Sequence, residues 1–167
     1  MKSFLLILLC LCLLTFSAFC PARVPRGTTL TVYRSALLKL MMKELEPPRV
    51  RATYRSAFKV QQVSKNRYEP AIKDTLLAVS TAADQVLLFA NKYNTFLIKA
   101  ALMSNKVTFG RNIRVAARKE AFCRAYQLSA AYDQYRVTDD ENTGTYLEFS
   151  FSGGTLRKVC YQIGYME

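Results

Sequence analysis

Residues 70–100 read PAIKDTLLAVSTAADQVLLFANKYNTFLIKA, and the period assigned to this stretch decides the fold. Pro70 suits the first turn of a helix. After it, Ile72, Leu76, Val79, Ala83, Val86, Ala90, Tyr93, Leu97 and Ala100 alternate steps of four and three. A seam of that kind predicts a long helix packed at a shallow angle in a bundle. Leu77, Leu87, Leu88, Phe89, Phe96 and Ile98 add apolar surface beside the seam, as a central helix touched on several sides requires.

Working outward, residues 30–46 predict a first helix stopped by Pro47-Pro48. Val50 to Asn66 repeats apolar residues at noisy helical spacing and predicts a second. Ser104 to Gly110 is a break, and Arg111 to Tyr135 predicts a fourth helix, with Ile113, Ala117, Ala121, Leu128 and Ala131 on one side. Thr138 to Thr145 carries Asp139, Asp140, Glu141 and Gly144 and reads as an exposed acidic loop. Beyond it the period changes to two. Leu147, Phe149 and Phe151 alternate with polar residues, Gly153-Gly154 follows, and Val159, Tyr161, Ile163 and Tyr165 alternate again, the pattern of a β-hairpin. The expected fold class is therefore all-α, an up-and-down helical bundle with a long central helix and a C-terminal segment in the form of a short β-hairpin.

The start of the chain reads as a targeting segment. Lys2 precedes an apolar run from Phe4 to Phe16, too short for a comfortable membrane span, with small residues near Ala18 and Ala22. Cleavage fits after Cys20 or after Ala22, and Pro21 disfavours the first. Residues 1–22 are thus expected to be a signal peptide, 23–29 a basic arm and 30–167 one domain. The whole chain carries +12, of which Lys2 accounts for one, so the remainder would carry +11. An excess of that size favours polyanions: acidic glycans, anionic lipid or acidic glycoproteins, with nucleic acid the least expected outside a cell. Cys10, Cys12 and Cys20 would leave with the leader. Cys123 and Cys160 remain, and in an oxidising compartment they suit a disulfide contributing about 3–4 kcal/mol; the alternative is two separate buried thiols.

Catalytic parts are missing. The chain has no histidine, which removes the usual general base, the Ser-His and Cys-His pairs and the commonest metal ligand. No glycine-rich phosphate loop or Gly-x-Ser-x-Gly elbow occurs, and the acids are scattered or clustered in a loop. Neither an enzyme nor a cofactor is expected. Basic residues instead recur at helical spacing: Arg51, Arg55 and Lys59; Lys92, Lys99 and Lys106; Arg111, Arg114 and Arg118. Each triple would form a stripe for an anionic surface or glycan. In the first helix, Leu37, Leu38, Met41, Met42 and Leu45 exceed what a single core-facing stripe needs, which suits a surface that enters a bilayer. The bland alternative is a helix buried between two neighbours.

Several of these stretches resemble the sperm acrosomal proteins of abalone and related marine snails, egg-lysin and its fusogenic paralogue. Val79-Ser80-Thr81 followed by Val86-Leu87-Leu88-Phe89-Ala90-Asn91-Lys92-Tyr93 is similar to the long second helix of lysin. Lys59-Val60-Gln61, Gly110 and Arg114-Val115-Ala116-Ala117 fit on either side, so the similarity covers residues 55–135. The resemblance implies a helical bundle stored in the sperm acrosomal vesicle, secreted, and acting without catalysis at fertilisation. This chain lacks the Trp and His of lysin and adds the apolar first helix and two cysteines, departures that favour the fusogenic paralogue. Its partner would then be the egg plasma membrane or anionic lipid. The alternatives are lysin-like opening of the egg envelope through a coat glycoprotein, and a membrane-permeabilising host-defence protein.

Overall fold

The structure, a computed structural model, describes residues 29–139 and 144–164. The expected leader, all of the basic arm but Thr29, residues 140–143 of the acidic loop and Tyr165 lie outside the described residues.

The chain does not form an all-α bundle. Its main element is an eight-stranded mixed sheet. Strand β1 (Thr29–Tyr33) leads into helix α1 (Ser35–Met42), a 3₁₀ turn (Lys43–Leu45), helix α2 (Pro47–Tyr54) and a second 3₁₀ turn (Arg55–Ala57). Four strands follow: β2 (Lys59–Lys65), β3 (Lys73–Ser80), β4 (Asp84–Ala90) and β5 (Thr95–Leu102). After a long loop come helix α3 (Lys119–Tyr126) and strands β6 (Gln134–Thr138), β7 (Tyr146–Ser152) and β8 (Thr155–Gln162). The order across the sheet is β1-β6-β7-β8-β5-β4-β3-β2. Only the β1–β6 pair is parallel, which the two-helix excursion between β1 and the rest permits.

The expected central helix is three strands. Thr81–Asp84 and Asn91–Asn94 are tight turns in which the Thr81 hydroxyl and the Asn91 side-chain oxygen accept backbone N–H bonds. Such local side-chain bonds offer the backbone a way out of a helix. Strands of about seven residues then place Val79 opposite Val86 and Val86 opposite Ala100, so heptad spacing arises from hairpins as well as from helices. The expected second helix ends at Tyr54 and its remainder becomes β2. Of the expected fourth helix only Lys119–Tyr126 is helical. Pro47 and Pro48 begin a helix at its first positions, where a missing N–H costs nothing.

One buried row runs through seven strands: Val32, Val137, Leu147, Tyr161, Ala100, Val86 and Val79. Against this face lie all three helices. Leu38, Met41 and Leu45 reach it from α1 and its 3₁₀ turn, Val50 and Tyr54 from α2, and Phe122, Cys123 and Tyr126 from α3. Phe122 centres an aromatic cluster, its ring 4.9–5.2 Å from those of Tyr126, Tyr135, Phe149 and Phe151. Gly153 and Gly154, both at positive φ, close the β7–β8 hairpin in the conformation that side-chain-bearing residues avoid.

Three residues have no cross-strand partner in the ladders and bulge: Gln61 in β2, Ile98 in β5 and Arg157 in β8. Bulges bend and twist a sheet locally. Two of them border the groove described next.

Candidate functional site

The sheet face opposite the helices carries two parallel rows of side chains. One runs Lys59, Ala78, Leu87, Lys99, Gln162, Tyr146; the next runs Ser80, Gln85, Ala101, Cys160, Glu148, Arg136. Ala78 in the first row and Ser80, Ala101 and Cys160 in the second are short, and long side chains stand beside them. The result is an open groove of about 710 Å³ across β2, β3, β4, β5 and β8. Ala78, Leu87 and Ala101 form its floor; Lys59, Gln61, Gln85, Lys99, Gln162, Ser80 and Cys160 supply its polar atoms. No aspartate or glutamate is among the lining residues.

A bulge puts Lys99 there. Leu97 is buried on the helix side, and in a regular strand Lys99 would share that face. The extra residue at Ile98 turns Lys99 to the open side opposite Leu87. Gln61, the bulge residue of β2, joins Lys59 in the groove wall. Lys59 and Lys99 are three strands apart in one row, roughly 14 Å between backbones at ordinary strand spacing. Both lysines line the groove, and no lining carboxylate neutralises them.

At the β6–β7 end of the open face the charges pair with one another. Arg136 donates to Glu148 at 2.8 and 3.2 Å and lies 4.5 Å from the Tyr146 ring centre, and the Tyr146 hydroxyl donates to Gln162 at 3.2 Å. Among the described residues no group of three or more Cys, Asp or Glu could hold a metal, and no buried side-chain polar atom lacks a partner.

The residues singled out from sequence fall in different places. Leu38, Met41 and Leu45 are buried, at 4%, 0% and 3% exposure, and Leu37 and Met42 are half-buried against the same core. The apolar surface expected for a bilayer is thus spent on the sheet, the bland alternative for that helix. The basic stripes do not exist as helical faces. Arg51 lies on α2, Arg55 in the 3₁₀ turn after it and Lys59 on β2; Lys92 is in a turn, Lys99 in β5 and Lys106 in the loop after it. Arg111 and Arg114 lie in the loop before α3, where an Arg111 guanidinium N–H donates to the Ala125 carbonyl, and Arg118 caps α3. Lys106 covers the ring of Tyr54 at 5.5 Å. All nine are exposed, and of them Lys59 and Lys99 come together in the groove. The expected disulfide is also corrected. Cys123 is a free, buried thiol 3.3 Å from the Tyr135 hydroxyl on the helix side, whereas free Cys160 lines the groove on the other, so the sheet stands between them. Sequence reading missed Gln61, Gln85, Gln162 and Cys160 as groove residues. The alternation of Cys160 and Gln162 with Val159 and Tyr161 was the available signal for two of them.

Fold and groove together define a one-sided β-sheet protein, helices on one face and a cation-framed groove on the other. No family model, no curated protein and no solved structure matches the chain. The stretches similar to the lysin helix, Val79–Thr81 and Val86–Tyr93, form parts of two strands and their turns here, so the correspondence in sequence has no counterpart in secondary structure.

Proposed function

We propose that the protein is a non-catalytic binding protein that takes an acidic glycan along the groove of its open sheet face. The observation that carries this is that Lys59 and Lys99 both line one groove without a lining carboxylate. Amide groups of Gln61, Gln85 and Gln162 and the Ser80 hydroxyl supply both donors and acceptors, which suits the hydroxyls of a sugar chain. The volume lies in the usual range for ligand sites, and the +12 charge of the chain steers an anion towards it. Binding without turnover is favoured because neither histidine nor carboxylate is present in the groove to relay a proton.

Of the settings suggested by the resemblance, adhesion to an egg-coat glycoprotein is compatible with this surface. Fusion driven by the first helix draws less support, since Leu38 and Met41 are buried, Leu37 and Met42 half-buried, and Leu40 is the large apolar side chain that α1 leaves exposed. The test is calorimetric titration of a sulfated tetrasaccharide against a neutral one of equal length. Binding should be confined to the acidic sugar and weaken with salt. Lys59→Gln and Lys99→Gln should each cost about tenfold in affinity, the worth of one charged hydrogen bond. Equal affinity in the doubly substituted protein would refute the groove as the site.

A further inference from the structure

The two hairpin ends remote from the groove carry the same four-residue arrangement. Asn66-Arg67-Tyr68-Glu69 and Asn91-Lys92-Tyr93-Asn94 each place a cation and then a tyrosine after an asparagine whose side-chain oxygen accepts two backbone N–H bonds at 2.8–3.0 Å. Asp74 joins the loops, accepting from the Asn66 amide at 3.0 and 3.2 Å and from the Asn91 amide at 3.0 Å. A second link runs from the Tyr93 hydroxyl to Glu69 at 3.1 Å. The two loops therefore form one fixed unit, yet Tyr68 is 88% and Tyr93 61% exposed. Beside them Lys65 and Lys73 stand directly opposite in the β2–β3 ladder, a like-charge pair that costs stability where it is.

We propose that this tip docks on an anionic lipid bilayer, the tyrosines lying at headgroup depth and Lys65, Arg67, Lys73 and Lys92 facing the lipid charge. Tyrosine flanked by arginine or lysine is the composition of an interfacial anchor, with an apolar body and a polar end. A folded acidic partner is disfavoured because two short loops, residues 66–72 and 91–94, fall short of the ~1,000 Å² that a stable interface needs. Sugar stacking is disfavoured because each ring already has its own cation beside it, Arg67 at 5.9 Å from Tyr68 and Lys92 at 5.5 Å from Tyr93. The tip lies roughly 17 Å along β3 from the groove floor, five residues at strand rise, so this surface is separate from the glycan site.

Co-sedimentation of the whole protein with phosphatidylserine-containing vesicles, against phosphatidylcholine alone, tests it. Anionic vesicles should bind and neutral ones should bind at least tenfold more weakly. Arg67→Gln with Lys92→Gln should weaken binding about thirtyfold, two cations at ~1 kcal/mol each, and Tyr68→Ser with Tyr93→Ser should weaken it further. Lys59→Gln with Lys99→Gln should leave the vesicles bound. Retained glycan binding by the tip variants shows that they are folded; if the glycan itself fails to bind, an unchanged thermal unfolding curve serves instead. Vesicle binding unaffected by the tip changes, equal binding to neutral vesicles, no binding at all, or tip changes that abolish only glycan binding would each overturn the proposal.

Discussion

Asp84 is the one charged residue, among those described, that the fold takes wholly out of water, at 1% exposure. Burial by itself pushes its pKa up. Hydrogen bonds from the Ser104 hydroxyl and N–H, the Met103 N–H and the Tyr54 hydroxyl outweigh that and hold it below the ordinary carboxylate value. The Tyr54 hydroxyl shifts the other way, upward, through its own burial and then the negative charge of Asp84. One carboxylate thus ties α2, the start of β4 and the end of β5 together. Because its folded pKa is depressed, its contribution is present above the unfolded value near pH 3.9 and is lost as pH falls through the lower folded value. Asp84→Ala strands the Ser104 N–H and the hydroxyls of Ser104 and Tyr54, while the Met103 N–H keeps the Ala83 carbonyl, and should cost about 3–5 kcal/mol in urea unfolding at pH 7. Asp84→Asn should also be less stable at pH 7, with the gap to the unsubstituted protein narrowing below about pH 4. A gap constant down to pH 2 would contradict this account.

At the scale of elements, α1 shows how burial redirects a functional reading. The sequence places ten apolar residues between Leu30 and Leu45, more than one core-facing helical stripe needs. The surplus has two explanations in the fold. Leu30 and Val32 belong to β1, where alternation and not helical spacing sets the face, and α1 itself directs Leu38 and Met41 into the sheet. Leu38→Ser and Met41→Ser should therefore act on stability, each costing about 2–5 kcal/mol in denaturant unfolding. Val63→Thr on the fully exposed strand β2 should stay within about 0.5 kcal/mol of the starting value. The β7–β8 hairpin was legible because its alternation flanks two glycines that a two-residue turn demands. The segment 70–100 misled because strands of about seven residues joined by short turns repeat at the heptad spacing. What distinguishes the cases is the turn chemistry at Thr81 and Asn91, which a seam drawn through Ala83 and Tyr93 passes over. The candidate site was half legible. Lys59 and Lys99 were marked as cations for an anionic ligand, but assigned to different helices.

For the whole molecule, the decisive feature is that a sheet has two sides and the helices occupy one. The two thiols lie on different sides, so a reductant should leave the melting temperature unchanged. In the folded protein a maleimide should label Cys160 first, with a bound acidic glycan slowing it, and Cys123 only on unfolding. A fall of several degrees on reduction, the mark of a lost disulfide, would show that the thiols are paired. The sequence by itself determined the charge, the want of histidine chemistry and the alternation around Gly153-Gly154, because composition and short-range turn geometry need no distant partner. Only the tertiary structure decided that Val79, Val86 and Ala100 are neighbours across strands and that Lys59 and Lys99 share a groove. The physical reason is that a strand's face is set by its ladder, and a single bulge at Ile98 reverses it.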